Sequence, residues 1–244
     1  MQQAEHLLVR RVRHELKLRE LTVARIERLG EAFAAITFTG AALADFTSLS
    51  FDDHVKFMFP DADADGGQVR RDYTPRCFSR EALELTIEFA LHGDGKASDW
   101  ARNAVVGQRA LVGGPKGSMI VPLELDWQLL TGDATALPAI ARRLEELAGG
   151  SLAIVLVHAA PADRRVLRSV ADVDLRWLDT QEALVADLQA LALPPGRGFA
   201  WGGGEASLMA RVRQVLNEQG VPREATRVSA YWKQGVAEHH ENLE

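Results

Sequence analysis

Apolar and polar residues alternate along most of the first half of the chain. Successive side chains of a strand point to opposite faces, so a period of two is typical of half-buried strands. The pattern predicts strands at 21–27, 35–39, 54–59, 83–91 and 108–112. Turn-forming residues separate these segments. Five or six short strands without a long helix predict a small antiparallel barrel.

The spacing of apolar residues changes near Pro122, where short apolar runs begin to alternate with segments of helical period. Strands are predicted at 127–130, 152–157, 175–178, 199–201 and 227–232. Helices are predicted at 137–147, 182–191 and 205–219. Alternating strands and helices predict an open parallel sheet. We therefore divide the chain into two domains, residues 1–123 and 124–244.

The charge and composition of the chain argue against several classes of protein. Its net charge is −6, whereas nucleic-acid-binding proteins are usually basic, so no nucleic-acid partner is expected. No apolar run reaches the ~18 residues of a membrane span, and no stable membrane association is expected. The one cysteine, Cys77, cannot form an internal disulfide and is expected to be a small buried apolar residue. We expect a cytoplasmic monomer.

The segment 71–76 carries the densest set of candidate binding residues. On an extended backbone, Arg71 and Tyr73 share one face and Thr74 lies on the other. A guanidinium suits a phosphate, an aromatic ring suits stacking, and a hydroxyl suits a ring heteroatom. This set matches a flat cofactor that carries phosphate. A plain strand with exposed Arg and Tyr explains the same residues without a ligand.

Glycine-rich segments follow several of the predicted strands. One contains His92 and Gly93 and leads into a helix for which Ser98 is the expected cap; backbone amides at such a helix start bind phosphate. Two others, at 131–139 and 202–205, lie at the carboxyl ends of parallel strands, where dinucleotides bind. Capped helices and ordinary turns explain these segments equally well without a ligand.

Metal and nucleophile patterns are absent from the sequence. Its seven histidines and one cysteine lack the spacing of a zinc site. No G-x-S-x-G segment marks a nucleophilic serine. We therefore expect no metal ligands in the protein itself.

Seven segments, taken in order, resemble the siderophore-interacting protein family over residues 15–237. This is a family of flavin-dependent ferric-siderophore reductases within the ferredoxin-reductase-like superfamily. The matching segments are His54-Val55-Lys56 before Pro60, Arg71-Asp72-Tyr73-Thr74-Pro75-Arg76, Leu91-His92-Gly93 with residues 97–101, Gly114-Pro115-Lys116-Gly117-Ser118, residues 132–139, Gly203-Gly204-Glu205-Ala206 and Tyr231-Trp232-Lys233-Gln234-Gly235. One segment alone is weak, but seven in the right order are a specific signal.

The resemblance implies a six-stranded FAD-binding barrel followed by a Rossmann-like domain that binds NADPH or NADH. The residues it implies for the flavin are Arg71, Tyr73, Thr74, Pro75, His92, Gly93, Lys96, Ala97, Ser98, Thr135 and Ala136. For NAD(P)H they are Thr131, Gly132, Asp133, Gly203, Gly204 and Glu205. For the substrate, candidates are Lys56, Arg76, Lys116, Trp232 and Lys233. Of these, Lys56, Arg76, Lys116 and Lys233 are candidates for a basic pocket that binds an anionic chelate on an otherwise acidic protein.

The resemblance also implies individual roles and a reaction. Tyr73 would pack on the isoalloxazine ring, Thr74 would hydrogen-bond near its reactive nitrogen, and Arg71 would meet the pyrophosphate. The expected reaction is reduction of a ferric siderophore, or another small ferric chelate, by NAD(P)H through FAD. Two alternatives are a reductase that serves a ferredoxin or flavodoxin and a non-enzymatic module that binds ferric chelates. Arg164 and Arg165, after the second parallel strand, favour NADPH weakly.

Overall fold

A computed structural model describes residues 9–61, 67–91, 95–235 and 241–243. These residues form two compact units. The antiparallel unit comprises Arg11–Met119 and Pro161–Arg165. The parallel unit comprises Ile120–Ala160 and Val166–Glu244, with the first ten residues as far as they are described.

The antiparallel unit is built from nine strands and one short helix. They are β1 (Arg10–Arg13), β2 (Leu18–Leu29), β3 (Phe33–Thr39), β4 (Val55–Pro60), β5 (Gln68–Tyr73), β6 (Pro75–Ser79), β7 (Glu84–Ala90), α1 (Lys96–Arg102), β8 (Arg109–Gly113) and β9 (Gly117–Ile120). Seven of the strands form an antiparallel sheet in the order β5-β4-β8-β2-β3-β7-β6, and β1 pairs with β9. The predicted antiparallel architecture is confirmed, as a curled half-barrel.

The main antiparallel sheet has seven strands, whereas six were expected. The difference arises at Thr74, which separates β5 from β6 and lies in neither strand. Pro75 opens β6 without an N–H to donate, and the pairing with β7 shifts register between Pro75 and Cys77. Because β5 and β6 lie at opposite edges of the sheet, this one-residue break joins the two edges. The shift leaves Cys77 exposed, so the expectation that it is buried is wrong.

An aromatic cluster fills the antiparallel unit. Phe38, Phe57 and Phe89 are fully buried. The ring of Trp100, on α1, packs edge-on against Phe57 with centroids 4.7 Å apart. Burial of this many rings supplies much of the apolar area that stabilises a small domain. The cluster also fixes the strand that carries Tyr73.

The parallel unit alternates strands and helices as predicted. Its elements are β10 (Trp127–Asp133), α2 (Leu137–Glu146), β11 (Leu152–His158), β12 (Asp172–Leu178), α3 (Gln181–Ala190), β13 (Gly198–Glu205), α4 (Ala206–Glu218), β14 (Thr226–Trp232) and β15 (Glu241–Leu243). The strand order is β12-β11-β10-β13-β14-β15, parallel except for β15. The chain winds one way from β10 to β12 and the other way from β13, so the switch point lies between β10 and β13. Among the described residues, no helix has the length and apolar character of a bilayer crossing.

Candidate cofactor and substrate sites

The side chain of Tyr73 is held at the end of β5 by the aromatic cluster. Its ring centroid lies 4.4 Å from that of Phe89 and 6.0 Å, edge-on, from that of Phe57. Burial raises the pKa of Tyr73 far above its ordinary value, although the charge of Arg71 lowers it in part. The phenol is therefore neutral at physiological pH, and its ring is fixed in direction.

Arg71 and Thr74 stand beside Tyr73 with polar groups suited to a ligand. Both are half-buried. One Nη of Arg71 donates to the carbonyl of Arg70 at 2.8 Å. Within the described part of the chain, the hydroxyl of Thr74 makes no hydrogen bond. A fixed aromatic ring, a guanidinium and a hydroxyl suit the ring and pyrophosphate of a flavin dinucleotide, so the residues present fit FAD.

Helix α1 begins one turn earlier than expected. Gly95 precedes its first residue, and the hydroxyl of Ser98 donates to the carbonyl of Ala90 at 2.9 Å. The expectation that Ser98 caps the helix is therefore wrong. Lys96 is held by Asp61 at 3.0 Å, and Ala97 is buried. His92 and Gly93, which the sequence also assigned to the flavin, lie outside the described residues.

The candidate substrate cations of the antiparallel unit differ in what they contact. Lys56, half exposed, pairs with Asp72 at 2.7 Å on the neighbouring strand. Lys116 is exposed on the turn between β8 and β9. Arg76 is more buried and pairs with Glu88 at 3.2 Å. Lys56 and Lys116 are therefore better presented to a solute than Arg76.

Sequence reasoning missed Glu88, a buried carboxylate that lies between two arginines. Besides Arg76, it pairs with Arg165, whose guanidinium also lies over the ring of Phe33 with 5.6 Å to the centroid. Nothing in the strand pattern marks Glu88, because it alternates with apolar residues as an exposed position would. Arg165, considered above for NADPH, thus already has two partners within the antiparallel unit.

The carboxyl ends of β10, β13 and β14 are joined by one buried carboxylate. One oxygen of Asp133 accepts hydrogen bonds from the amide and the hydroxyl of Thr135, at 2.8 and 2.5 Å. The other accepts from the amide of Glu205 at 2.6 Å and from the indole N–H of Trp232 at 3.0 Å. Asp133 is 6% exposed. Its side chain therefore fastens this edge of the sheet together.

Glu205 ends β13 and caps α4. One of its carboxylate oxygens accepts from the amides of Ser207 and Leu208, at 2.6 and 3.1 Å, and from the Ser207 hydroxyl. Burial raises the pKa of Glu205, but the hydrogen bonds from Ser207 and Leu208 together lower it by more than burial raises it. The pKa therefore lies below its ordinary value of 4.5. The side chain is ionised at neutral pH and fixed by its own helix.

The glycines at this edge are required by close packing within the protein. A Cβ on Gly132 would lie 1.9 Å from the carbonyl oxygen of Gly203. A Cβ on Gly204 would lie 2.6 Å from a carboxylate oxygen of Asp133. The close approach at these glycines is between neighbouring strands of the protein itself.

The structure brings most of the candidate residues together in two groups. In the antiparallel unit these are Lys56 on β4, Arg71 and Tyr73 on the adjacent β5, Thr74, and Pro75 and Arg76 on β6, which follows directly in the chain but lies at the opposite edge of the sheet. In the parallel unit they are Thr131, Gly132, Asp133, Thr135, Ala136, Gly203, Gly204, Glu205 and Trp232, at one edge of the sheet, with Lys233 exposed next to Trp232. Thr131 is fully buried and its hydroxyl donates to the carbonyl of Leu156 at 3.0 Å.

Family models match both halves of the chain. A siderophore-interacting FAD-binding domain matches residues 22–69 and 63–119, and a siderophore-interacting protein model matches residues 125–235. The chain is 35% identical to an NADPH-dependent ferric-chelate reductase of Escherichia coli, over 91% of this chain and 95% of that protein. It is 26% identical to the ferric vibriobactin reductase ViuB of Vibrio cholerae, over 91% of this chain and 93% of that protein.

Solved structures of siderophore-related proteins also resemble this chain. A siderophore utilization protein from T. fusca superposes with a TM-score of 0.85 at 32% identity, covering 96% of this chain and 99% of its own. The siderophore-interacting protein SipS from Aeromonas hydrophila has a TM-score of 0.81 at 30% identity, covering 90% and 92%. The FAD/NAD-binding domain of a nitric oxide dioxygenase from Vibrio cholerae shares only the fold, with a TM-score of 0.68 at 16% identity over 88% of this chain and 98% of that domain.

Proposed function

The chain belongs to the siderophore-interacting protein family, and from this premise we propose that it is an FAD-dependent reductase that uses NADPH to reduce ferric siderophores or other ferric chelates. One observation carries the proposal beyond family membership: the fixed ring of Tyr73, the guanidinium of Arg71 and the hydroxyl of Thr74 lie together at the end of β5, where they suit the ring and pyrophosphate of FAD. Lys56 pairs in register with Asp72, so its side chain lies on the face of the sheet opposite to Arg71 and Tyr73.

We assign FAD to residues 1–123 and the nicotinamide nucleotide to residues 124–244. When bound, FAD supplies hydride acceptance from the nicotinamide and transfer of single electrons to ferric iron. The side chains of Arg71, Tyr73 and Thr74 would bind it through charge, ring contact and a hydroxyl donor. Because Ser98 donates its hydroxyl within the protein, its contribution would come from the backbone.

The nicotinamide nucleotide is assigned to the carboxyl edge of the parallel sheet. Dinucleotides bind at the point where strand order reverses, which here lies between β10 and β13. The Asp133 and Glu205 carboxylates are occupied by the protein's own donors, so we assign them the role of shaping this edge. Gly132, Gly203 and Gly204 are themselves buried by close packing within the protein, so we assign them the same role and the nucleotide to the outer surface of this edge.

We further propose that NADPH is preferred over NADH. In dinucleotide-binding folds, a carboxylate near the end of the second strand binds the ribose 2′-hydroxyl of NADH. Here β11 ends at His158, followed by two alanines. The next acid, Asp163, accepts a hydrogen bond from the amide of Ala32 at 3.0 Å. The ring of His158 accommodates a 2′-phosphate better than a carboxylate would.

The substrate proposal rests on local charge in an acidic protein. Lys56 and Lys116 are the presented cations of the antiparallel unit, and Trp232 and Lys233 are the candidates of the parallel unit. Oxygen-donor chelators hold Fe(II) less tightly than Fe(III), so reduction releases the metal. No group of three or more His, Cys, Asp or Glu side chains in the described ranges could hold a metal ion. We therefore assign the iron to the substrate.

The test is steady-state NADPH oxidation by the FAD-loaded protein, with released Fe(II) trapped by a colour-forming chelator. The acceptors are ferric tris(catecholate), an anionic complex, and ferric tris(acetohydroxamate), a neutral one. We expect both to be reduced, and Lys56→Ala to raise KM for the anionic complex alone. The control is Arg70→Ala, an exposed cation on the adjacent strand. If the protein reduces a ferredoxin or flavodoxin but neither complex, it is a reductase that serves a protein carrier. If it binds the ferric complexes without oxidising NADPH, it is a non-enzymatic binding module.

A further inference from the structure

A buried hydrogen-bond network joins two chain segments that carry Lys56 and Lys116, the two exposed lysines of the antiparallel unit. Its centre is the hydroxyl of Ser118, 4% exposed, which donates to a carboxylate oxygen of Asp53 at 2.6 Å. The same oxygen of Asp53 accepts from the hydroxyl of Ser48 at 2.8 Å and from the amide of Ser50 at 3.2 Å. Ser118 lies two residues after Lys116, and Asp53 three residues before Lys56.

His14 contacts this network at Ser118. Its ring Nε2 lies 2.8 Å from the Ser118 hydroxyl, and its backbone amide donates to the carbonyl of Lys116 at 2.9 Å. A Cβ on Gly117 would lie 2.5 Å from the carbonyl of Val12, so the two chain segments are in direct contact. One residue therefore holds the turn of Lys116 through both its backbone and its side chain.

The bonding around Ser118 fixes the direction of the bond to His14. A hydroxyl has one proton, and that of Ser118 is directed to Asp53. The Ser118 oxygen also accepts from the amide of Leu49 at 3.1 Å. Its contact with His14 must then use a proton on Nε2, so His14 is the donor. A side chain that replaces His14 must therefore offer an N–H donor to the Ser118 oxygen, and filling the same volume is not enough.

From this geometry we propose that His14 is a positioning residue for substrate binding. Through Ser118 and Asp53 it fixes the turn carrying Lys116 relative to the strand carrying Lys56. This proposal rests on the proposed function, because it assigns both lysines to the anionic chelate. Two charges held at a fixed separation bind a rigid anion better than charges on loose segments, since less side-chain and loop freedom is lost on binding.

The experiment measures KM and kcat of the FAD-loaded protein for ferric tris(catecholate) and ferric tris(acetohydroxamate). Loss of one hydrogen bond corresponds to about 5-fold in binding. We therefore expect His14→Ala to raise KM for the anionic complex about 5-fold, with kcat and KM for the neutral complex unchanged. His14→Gln, whose amide offers an N–H at a similar reach, should restore the wild-type KM. Arg11→Ala, an exposed change on β1, is the matched control.

A second variant separates positioning from misfolding. Ser118→Ala should raise the same KM, and adding His14→Ala to it should have no further effect, because both act through one bond. Thermal unfolding and bound FAD absorbance report whether each variant is folded. An unchanged KM in His14→Ala, an equal rise for both complexes, or a His14→Gln variant as impaired as His14→Ala would overturn the proposal. If wild-type protein reduces neither complex, the proposed function itself has failed.

Discussion

Replacing Asp133 by asparagine tests whether this residue fastens the edge of the parallel sheet. The carboxylate accepts four hydrogen bonds while 6% exposed: two from Thr135, one from Glu205 and one from Trp232. An amide has one accepting oxygen, and its NH₂ group donates. In either orientation, two of the four donors would face another donor.

The expected magnitude follows from those two lost bonds. A hydrogen bond to a charged group contributes roughly 1.5–3 kcal/mol, and a buried donor left unsatisfied costs about 1–3 kcal/mol. Allowing for relaxation around Asp133, we expect Asp133→Asn to lower the free energy of unfolding by about 3–5 kcal/mol. Asp172→Asn, an exposed change at the start of β12, should alter it by less than about 0.5 kcal/mol.

Urea unfolding followed by tryptophan fluorescence provides the assay, since Trp127 and Trp201 are buried in the parallel unit. We expect the transition of Asp133→Asn to move to lower urea with little change in slope. KM for NADPH should rise as well, because the same edge is assigned to the nucleotide. If Asp133→Asn unfolds within about 0.5 kcal/mol of wild type, the four hydrogen bonds do not hold this edge, and the reasoning is refuted.

Substitutions at three further residues test separate parts of the site. Tyr73→Ala should weaken FAD binding about tenfold or more by removing a fixed ring, whereas Tyr73→Phe should retain most of it; equal affinity in all three proteins, measured by fluorescence titration, would remove Tyr73 from the site. Because folding lowers the pKa of Glu205, the ionised carboxylate stabilises the folded state above pH 4.5, and this contribution is lost as pH falls through the folded pKa. The difference in free energy of unfolding between wild type and Glu205→Gln should therefore shrink as pH falls, and a difference that stays constant from pH 7 to pH 3 would contradict this. His158→Asp should lower kcat/KM for NADPH more than for NADH, and equal changes would remove His158 from nucleotide selection.

The regular elements could be predicted because burial imposes its period on the sequence. The alternation at 83–91 corresponds to β7, and the unbroken apolar run at 152–157 corresponds to β11, which is covered on both faces. The segment around Thr74 was harder to interpret. Its strand break, which splits one expected strand into two, depends on pairing with distant strands rather than on local spacing.

The side-chain networks could not be predicted, because their partners are far apart in sequence. Asp133 bonds to the amide of Glu205, 72 residues away, and to Trp232, 99 residues away. Glu88 and Arg165 are 77 residues apart. A single sequence shows that such residues are polar but not which of them meet. Ser98 illustrates the same limit locally, since its hydroxyl reaches back to a strand carbonyl instead of capping its helix.

The central claim is that electrons pass from NADPH to ferric iron through a flavin bound by this chain. Its most direct test is the visible spectrum of the FAD-loaded protein without oxygen, recorded after NADPH and again after ferric tris(catecholate). We expect NADPH to bleach the flavin band, and the ferric complex to restore it with release of about two Fe(II) per NADPH. A protein that binds no FAD, or a band that stays bleached after the ferric complex is added, would contradict the account.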